Sequence, residues 1–289
     1  TVIRNEMGDP ENILQLIGRR LHPLGYTIRS AILDFRRYGV PHHRDRLITI
    51  GCRLPSIVQE IQPLDEFFSK DLSDLHPVPS HGGSGLPSPI TLREAVGSLP
   101  SLDALSKLFD SEDPYHRVPR WNERQYYWMR NTPEGETAFD NNRCIHCKTD
   151  GHAPEVVFCH ICKKPLPKPT ISKNGVARLV RGFRTSYRRM SWDKPASTLT
   201  MNSGVISSDL KGHPDQHRVL SLREILILST LDHSSWNRTY QFEGVRHGRR
   251  QADLDFSPRL VREVVGESIP PLGMHHIIQH LADLDGRLK

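Results

Sequence analysis

The chain has 289 residues, and 39 Lys and Arg against 33 Asp and Glu give it a formal charge of +6 at pH 7. That length suits one large core or two smaller ones, and the modest basic excess points towards a polyanionic partner without requiring one. No apolar run approaches the ~20 residues of a membrane-spanning helix and no signal-peptide pattern opens the sequence, so a soluble cytoplasmic protein with no membrane partner is expected.

In chain order, Asp9-Pro10-Glu11 predicts a helix start, with Asp9 as N-cap and Pro10 at the first helical position. Ile13, Leu14, Ile17 and Leu21 recur at helical spacing, and Pro23 with Gly25 ends the helix. Tyr26 to Leu33 and about Arg46 to Cys52 read as strands, separated by the polar turn Tyr38 to Asp45. Helix, strand, turn and strand together look like the end of an α/β sheet. From Pro55 to Pro89 the chain is rich in Pro, Ser, Asp and Gly, and His81 to Pro87 is its most linker-like piece. Thr91 with Glu94, and Ser221 with Glu224, form capping boxes, the second opening an apolar helix through about Leu231. A final helix is expected near Pro271, and no internal repeat is present.

Four of the 5 cysteines form two tight pairs, Cys144-x2-Cys147 and Cys159-x2-Cys162, with eleven residues between them. Each pair places two thiolates on one turn, and two such turns complete a tetrahedron around structural zinc. Lys148, Lys163 and Lys164 offset the charge of a four-thiolate site; His146, His152 and His160 are the alternative ligands. Two unrelated reduced pairs are the bland alternative. Cys52, ending an apolar strand, is expected to be a small buried filler.

Three separated segments resemble, in order, the C-terminal motifs of DNA (cytosine-5) methyltransferases. Tyr38-Gly39-Val40-Pro41-His42-His43-Arg44-Asp45-Arg46 is similar to the eighth motif, Gly-Val-Pro-Gln-x-Arg-x-Arg, with His42 in place of Gln. Arg218-Val219-Leu220-Ser221-Leu222-Arg223-Glu224, trailed by Tyr240 to Gly244, is similar to the ninth, with Ser229 where a Gln is usual. Gly266-Glu267-Ser268-Ile269-Pro270-Pro271 is similar to the tenth, with Glu267 in place of Asn. Thr91 to Pro100 and Pro195 to Thr200 match lesser elements of the family, the latter the Thr-Leu element of the target-recognition domain.

The resemblance implies an α/β fold: the C-terminal portion of a Rossmann-like S-adenosylmethionine-dependent methyltransferase domain, plus a mixed, irregular target-recognition domain with a zinc-ribbon-like site. It sets boundaries at 1–53 for the end of the catalytic domain, 54–217 for target recognition with the cysteines at 144–162, and 218–289 for the return. It implies that Arg44 and Arg46 line the active-site wall, Arg46 polarising the carbonyl oxygen of a flipped cytosine. Gly266, Glu267 and Ser268 would border S-adenosylmethionine, and Arg223 and Glu224 would make internal polar contacts. Double-stranded DNA is the expected partner. The basic run Arg178, Arg181, Arg184, Arg188 and Arg189, with Lys173 and Lys194, is the expected DNA-facing surface, joined by Thr198 and Thr200.

Family chemistry also needs a thiolate in a Pro-Cys motif, yet no Cys here follows a proline. His81 to Leu86 has glycines but no preceding strand, so it is not a cofactor turn. Glu11-Asn12-Ile13 mimics the family's Glu-Asn-Val, but lies too close to the eighth motif and reads as a decoy. The expectation is therefore a split enzyme, or else a fragment, with Thr1 compatible with a natural start. An obligate partner polypeptide would carry motifs one to six, share S-adenosylmethionine and cover an interrupted sheet. Two other readings compete: a non-catalytic zinc-containing DNA-binding protein derived from a methyltransferase, and a zinc-ribbon protein-interaction module.

Overall fold

The computed structural model describes residues 2–4, 10–53, 75–105, 113–235 and 257–286. They fall into two compact units: the first takes 1–39, 44–88 and 272–289, the second 40–43 and 89–271.

In the first unit, β1 (Val2–Arg4) pairs antiparallel with β2 (Pro10–Asn12), and α1 (Ile13–Leu21) follows directly. The helix start expected at Asp9 is displaced. Pro10 to Asn12 is extended because its backbone is taken by β1, and Asn12 becomes the cap, its side-chain oxygen accepting from Leu14 N at 2.9 Å. Glu11-Asn12-Ile13 therefore straddles the join of β2 and α1. The two expected strands form as β3 (Thr27–Asp34) and β4 (Asp45–Cys52), antiparallel in register from Thr27↔Cys52 to Asp34↔Asp45. Cys52 is half-buried, not a buried filler.

Ile28, Ala31 and Leu33 of β3 are buried on its two faces, and beyond the strand Phe35 and Tyr38 are buried too. Against them packs α6 (Pro271–Asp285), whose Gly273 lets the helix close on the Phe35 ring: a Cβ there would stand 2.9 Å from the ring. The Tyr38 hydroxyl donates to Pro77 O at 2.9 Å.

The second unit has little regular structure and two hydrophobic clusters. One gathers Leu92 and Val96 of α2 (Leu92–Val96), Trp192 and Leu199, and the apolar face of α4 (Leu222–Leu228). Both expected capping boxes are present, Thr91 with Glu94 and Ser221 with Glu224. α4 stops at Leu228, short of Leu231, because Ser229 caps it and Thr230 turns to φ 60. The other cluster holds Trp128 and Met129 of α3 (Glu123–Arg130), Trp121 and Tyr187. A hairpin of β5 (Thr170–Lys173) and β6 (Val176–Leu179) and the helix α5 (Pro258–Glu267) complete it. Neither α3 nor α5 was expected, although each carries a legible start: Asn122 with Gln125 is a capping box, and Ser257-Pro258 is a cap followed by proline at the first helical position.

Candidate metal centre and nucleic-acid interface

The four cysteines come together. Their sulfurs all lie within 4.8 Å of one another, with Cys144 Sγ 3.5 Å from Cys162 Sγ and Cys147 Sγ 3.4 Å from Cys159 Sγ. Tetrahedral Zn–S bonds of ~2.3 Å separate sulfurs by about 3.8 Å, so the donor set fits zinc. The two turns repeat one design. Cys144 N donates to Thr149 O at 2.8 Å and Cys159 N to Lys164 O at 2.9 Å; Lys148 and Lys163, each just after the second cysteine, take left-handed φ of 63 and 60. Ile161 N and Cys162 N also point at Cys159 Sγ, at 3.4 and 3.5 Å. Such N–H donors stabilise sulfur as thiolate.

Charge in the cluster is unevenly held. The hydroxyl and backbone of Thr149 pull the Cys147 thiol down to about 5. Cys162 receives a hydrogen bond from Lys164 N, but burial and the three neighbouring sulfurs outweigh it and push the thiol up to about 11. Holding all four as thiolates at this spacing would require a cation between them. The histidine alternatives lie outside the cluster: His152 Nδ1 sits 2.8 Å from Asn142 O, and its ring tilts against His160. Asn141 ties the module to α3, donating to Pro167 O at 2.7 Å, Thr132 Oγ1 at 3.0 Å and Trp128 O at 3.3 Å. Lys168 is buried, with Nζ donating to Pro154 O at 2.9 Å and its pKa lowered by desolvation.

The basic run that follows divides. Arg178 on β6, Arg181 and Arg184 are exposed, and Arg184 pairs with Asp140 at 2.6 Å. Arg188 is half-buried, its Nε donating to Gly135 O at 2.8 Å. Arg189 departs from the expected DNA-facing role. It is 1% exposed, and its guanidinium donates to the carbonyls of Met129, Thr132, His213 and Gln216, at the end of α3 and in irregular backbone. Burial lowers its pKa to about 10. Lys173 and Lys194 are exposed, as is Thr198, while Thr200 is half-buried.

Two expected motifs meet within the second unit. His43 N donates to Ala196 O and Ala196 N to Pro41 O, both at 2.9 Å, so the Val40 to His43 segment is stitched to the Pro195 to Thr200 element. His42 is buried, its Nδ1 3.0 Å from His43 O. In the first unit, Arg44 is 2% exposed and its pKa is lowered by desolvation and by Arg46. Arg46 is half-buried, with one terminal nitrogen donating to Asp45 O at 2.8 Å.

Gly266 and Glu267 close α5, and Ser268 is its C-cap, with Oγ donating to Val265 O at 2.9 Å. A Cβ on Gly266 would stand 2.3 Å from Met201 N and 2.4 Å from Thr200 C. The glycine thus lets α5 rest on the backbone that follows Leu199. The Ser268 hydroxyl is turned back on its own helix, and Glu267 is exposed. Gly266→Ala is expected to lower stability by about 1–3 kcal/mol, because backbone must move to admit the methyl. A denaturant titration checks this, and an unchanged midpoint would overturn the close approach.

Of the ninth-motif residues, Arg218 to Glu224 make internal contacts, while the trailing Tyr240 to Gly244 lies outside the described residues. Arg223 pairs with Asp113 at 2.6 Å and Asp232 at 2.7 Å, and Glu224 pairs with Arg218 at 2.7 Å. No helix among the described residues is long and apolar enough to cross a membrane.

The chain is similar in sequence to known proteins. The type II methyltransferase M1.HgaI of Avibacterium volantium is 28% identical over 265 residues, covering 89% of this chain and 56% of that protein. The type II methylase M.HgiDII of Herpetosiphon aurantiacus is 25% identical, covering 86% and 54%, and the type II methyltransferase M.AgeI of Thalassovita gelatinovora is 23% identical, covering 88% and 65%. The chain therefore spans between about half and two thirds of the length of the curated relatives it matches. A solved DNA modification methyltransferase encoded within an E. coli prophage overlays 94% of this chain and 64% of its own at a TM-score of 0.47 and 14% identity. Residues 5–283 match the family described as C-5 cytosine-specific DNA methylase, and the chain belongs to that family.

Proposed function

We propose that this chain is the DNA-recognition half of a cytosine-5 methyltransferase, working with a catalytic half that carries motifs one to six. The observation that carries the reading is a combination. Arg44 and Arg46, the α5–α6 turn and a four-cysteine module stand in family order, while the sequence holds neither a Pro-Cys motif nor a Gly-rich strand-to-helix turn. The sheet supports a partner as well. Among the described residues β4 pairs only with β3, and the directly opposed Ile32 and Leu47 remain 49% and 46% exposed. A two-stranded ribbon that leaves an apolar pair on its surface invites cover by further chain.

In this reading the exposed Arg178, Arg181 and Arg184 grip duplex DNA while a cytosine is flipped from the stack. Arg46 donates to the carbonyl oxygen of the flipped base, and Arg44, buried behind it, fixes that wall. S-adenosylmethionine, when bound, supplies the methyl group. Ser268 and its turn border that site, while the partner holds most of it along with the nucleophilic thiolate. The zinc module holds recognition loops that have too little core of their own.

The test is transfer of tritiated methyl groups from S-adenosylmethionine to duplex DNA by the chain purified with its cellular partner. Activity is expected only in the combined preparation, and Arg46→Ala is expected to lower the rate on the order of 10²-fold with DNA binding retained, as for loss of one donor to a developing oxyanion. A combined preparation that binds DNA yet transfers no methyl group sinks the reading. It would favour instead a non-catalytic DNA-binding descendant, to which the buried His42 and the exposed Glu267 already lend some support.

A further inference from the structure

Away from the expected basic run, the second unit contains a cavity of about 510 Å3 whose polar lining comes from Arg117, Asn202, Arg259 and Arg262. No carboxylate lines it among the described residues. Resting on the recognition reading above, we propose that this cavity is a phosphodiester subsite that seats one backbone phosphate of duplex DNA.

Arg262 is the anchor. It is 5% exposed and held by Ser203 Oγ at 3.3 Å and Leu220 O at 2.7 Å, which engage its two terminal nitrogens. Its Nε has no hydrogen-bond partner among the described residues. Space for this guanidinium is made by Gly204, where a Cβ would stand 3.0 Å from Arg262 Nε. Burial pushes the group down to about 10, so it stays cationic at neutral pH without a directly bonded carboxylate. Arg259, at the mouth, is 87% exposed. Its Nε is taken by Glu263 at 2.8 Å, leaving its terminal nitrogens without a partner among the described residues.

The backbone adds to the same field. Ser257 caps α5 and Pro258 with Arg259 opens it, so the positive end of a ten-residue helix lies at the cavity wall. Val118, Val205 and Pro258 supply apolar surface of the kind that suits a deoxyribose beside its phosphate. Three guanidiniums around one space repel one another until an anion enters. Duplex DNA presents such anions at regular spacing, and a guanidinium binds phosphate oxygens by two parallel hydrogen bonds.

The experiment measures binding of the whole chain to a short fluorescent duplex by anisotropy across salt. A companion series of duplexes carries one neutral methylphosphonate at successive positions. Unaltered chain is expected to bind, with affinity falling steeply as salt rises. Arg259→Gln and Arg117→Gln should each flatten the slope of log K against log salt by about 1, so that between about 50 and 200 mM salt each variant loses about 3.5-fold less affinity than the unaltered chain. Each should also lose sensitivity to methylphosphonate at one shared position only. Because Arg259 is exposed, its variant is expected to keep the parent's thermal melt. Unchanged slope and unchanged methylphosphonate pattern in both variants, with the parent binding normally, would remove the subsite alone. If the unaltered chain binds no duplex even at low salt, the recognition reading and the subsite fall together.

Discussion

One zinc ion per chain is the expected result of elemental analysis, and Cys159→Ser is expected to lose it together with the order of residues 142–168. The reason is how little else holds that stretch. Residues 142–168 contain no helix and no strand, only the single bridge between Phe158 and Pro165. Their buried apolar cluster is Cys144, Cys159 and Leu166, two of which are candidate ligands. A module with so small a core depends on its metal, and structural zinc in finger-sized units contributes on the order of 10 kcal/mol or more at neutral pH. Hydrogen exchange should therefore accelerate across 142–168 on chelation. It should then spread to the end of α3, which Asn141 and Tyr127 join to this module through Pro167 O and Pro165 O. The cluster around α4 draws on neither and should stay protected. DNA binding should weaken in parallel, since Arg178, Arg181 and Arg184 follow the module directly. A Cys159→Ser protein that keeps its metal and its exchange pattern would show that the four sulfurs are not a binding site.

The features legible in the sequence were those whose causes are local. β3 and β4 follow from alternation around a polar turn, and both capping boxes are written in residues three apart. The cysteine pairs are legible for the same reason, each being a single turn. Where competing local signals exist, the stronger partner decides. Asp9-Pro10 is a sound helix start, but pairing with β1 keeps Pro10 to Asn12 extended. α5 carries Leu260, Val261, Val264 and Val265 at helical spacing, and Gly266 of the tenth motif lies inside it. The fate of the arginines has no local signature at all. Arg188 and Arg189 are adjacent and chemically alike, and only the second meets carbonyls from residues 129–132 and 213–216. The cavity at Arg262 is likewise assembled from three distant segments.

Glu224→Gln is expected to destabilise the fold by about 3–5 kcal/mol at neutral pH, the cost of leaving a buried cation without its counter-ion. Arg218 and Glu224 are each 1% exposed and meet in two parallel bonds, Arg218 Nη1 to Oε2 at 2.7 Å and Nη2 to Oε1 at 2.8 Å. Ser221 N donates to the same carboxylate at 2.6 Å, so the pair also starts α4. Burial alone would raise the carboxyl pKa, but Arg218 outweighs it and holds Glu224 down at about 2. A folded value below the ordinary 4.5 gives stability that is complete above that pH and lost as pH falls towards 2. His213 extends the acid-sensitive range upward. Burial, helped by Arg218, lowers its pKa to about 3 from 6.5, and Nδ1 accepts from Gln216 N at 3.1 Å, which places the ring proton on Nε2. Asp215 Oδ1 also lies 3.1 Å from that Nδ1, but its side chain is 61% exposed and solvated, so the backbone donor sets the tautomer. Below pH 6.5 the unfolded chain takes up a proton at His213 that the folded chain refuses. Stability should thus fall by up to about 1.4 kcal/mol per pH unit between 6.5 and 4.5, and faster below 4.5 as the unfolded state also protonates Glu224. Urea titrations at successive pH values read both limbs. His213→Gln should flatten the upper one, and Glu224→Gln should remove the contribution of Glu224 to the lower one. A Glu224→Gln protein within 1 kcal/mol of the parent at pH 7 would mean that Arg218 finds other acceptors, and that α4 does not depend on this pair.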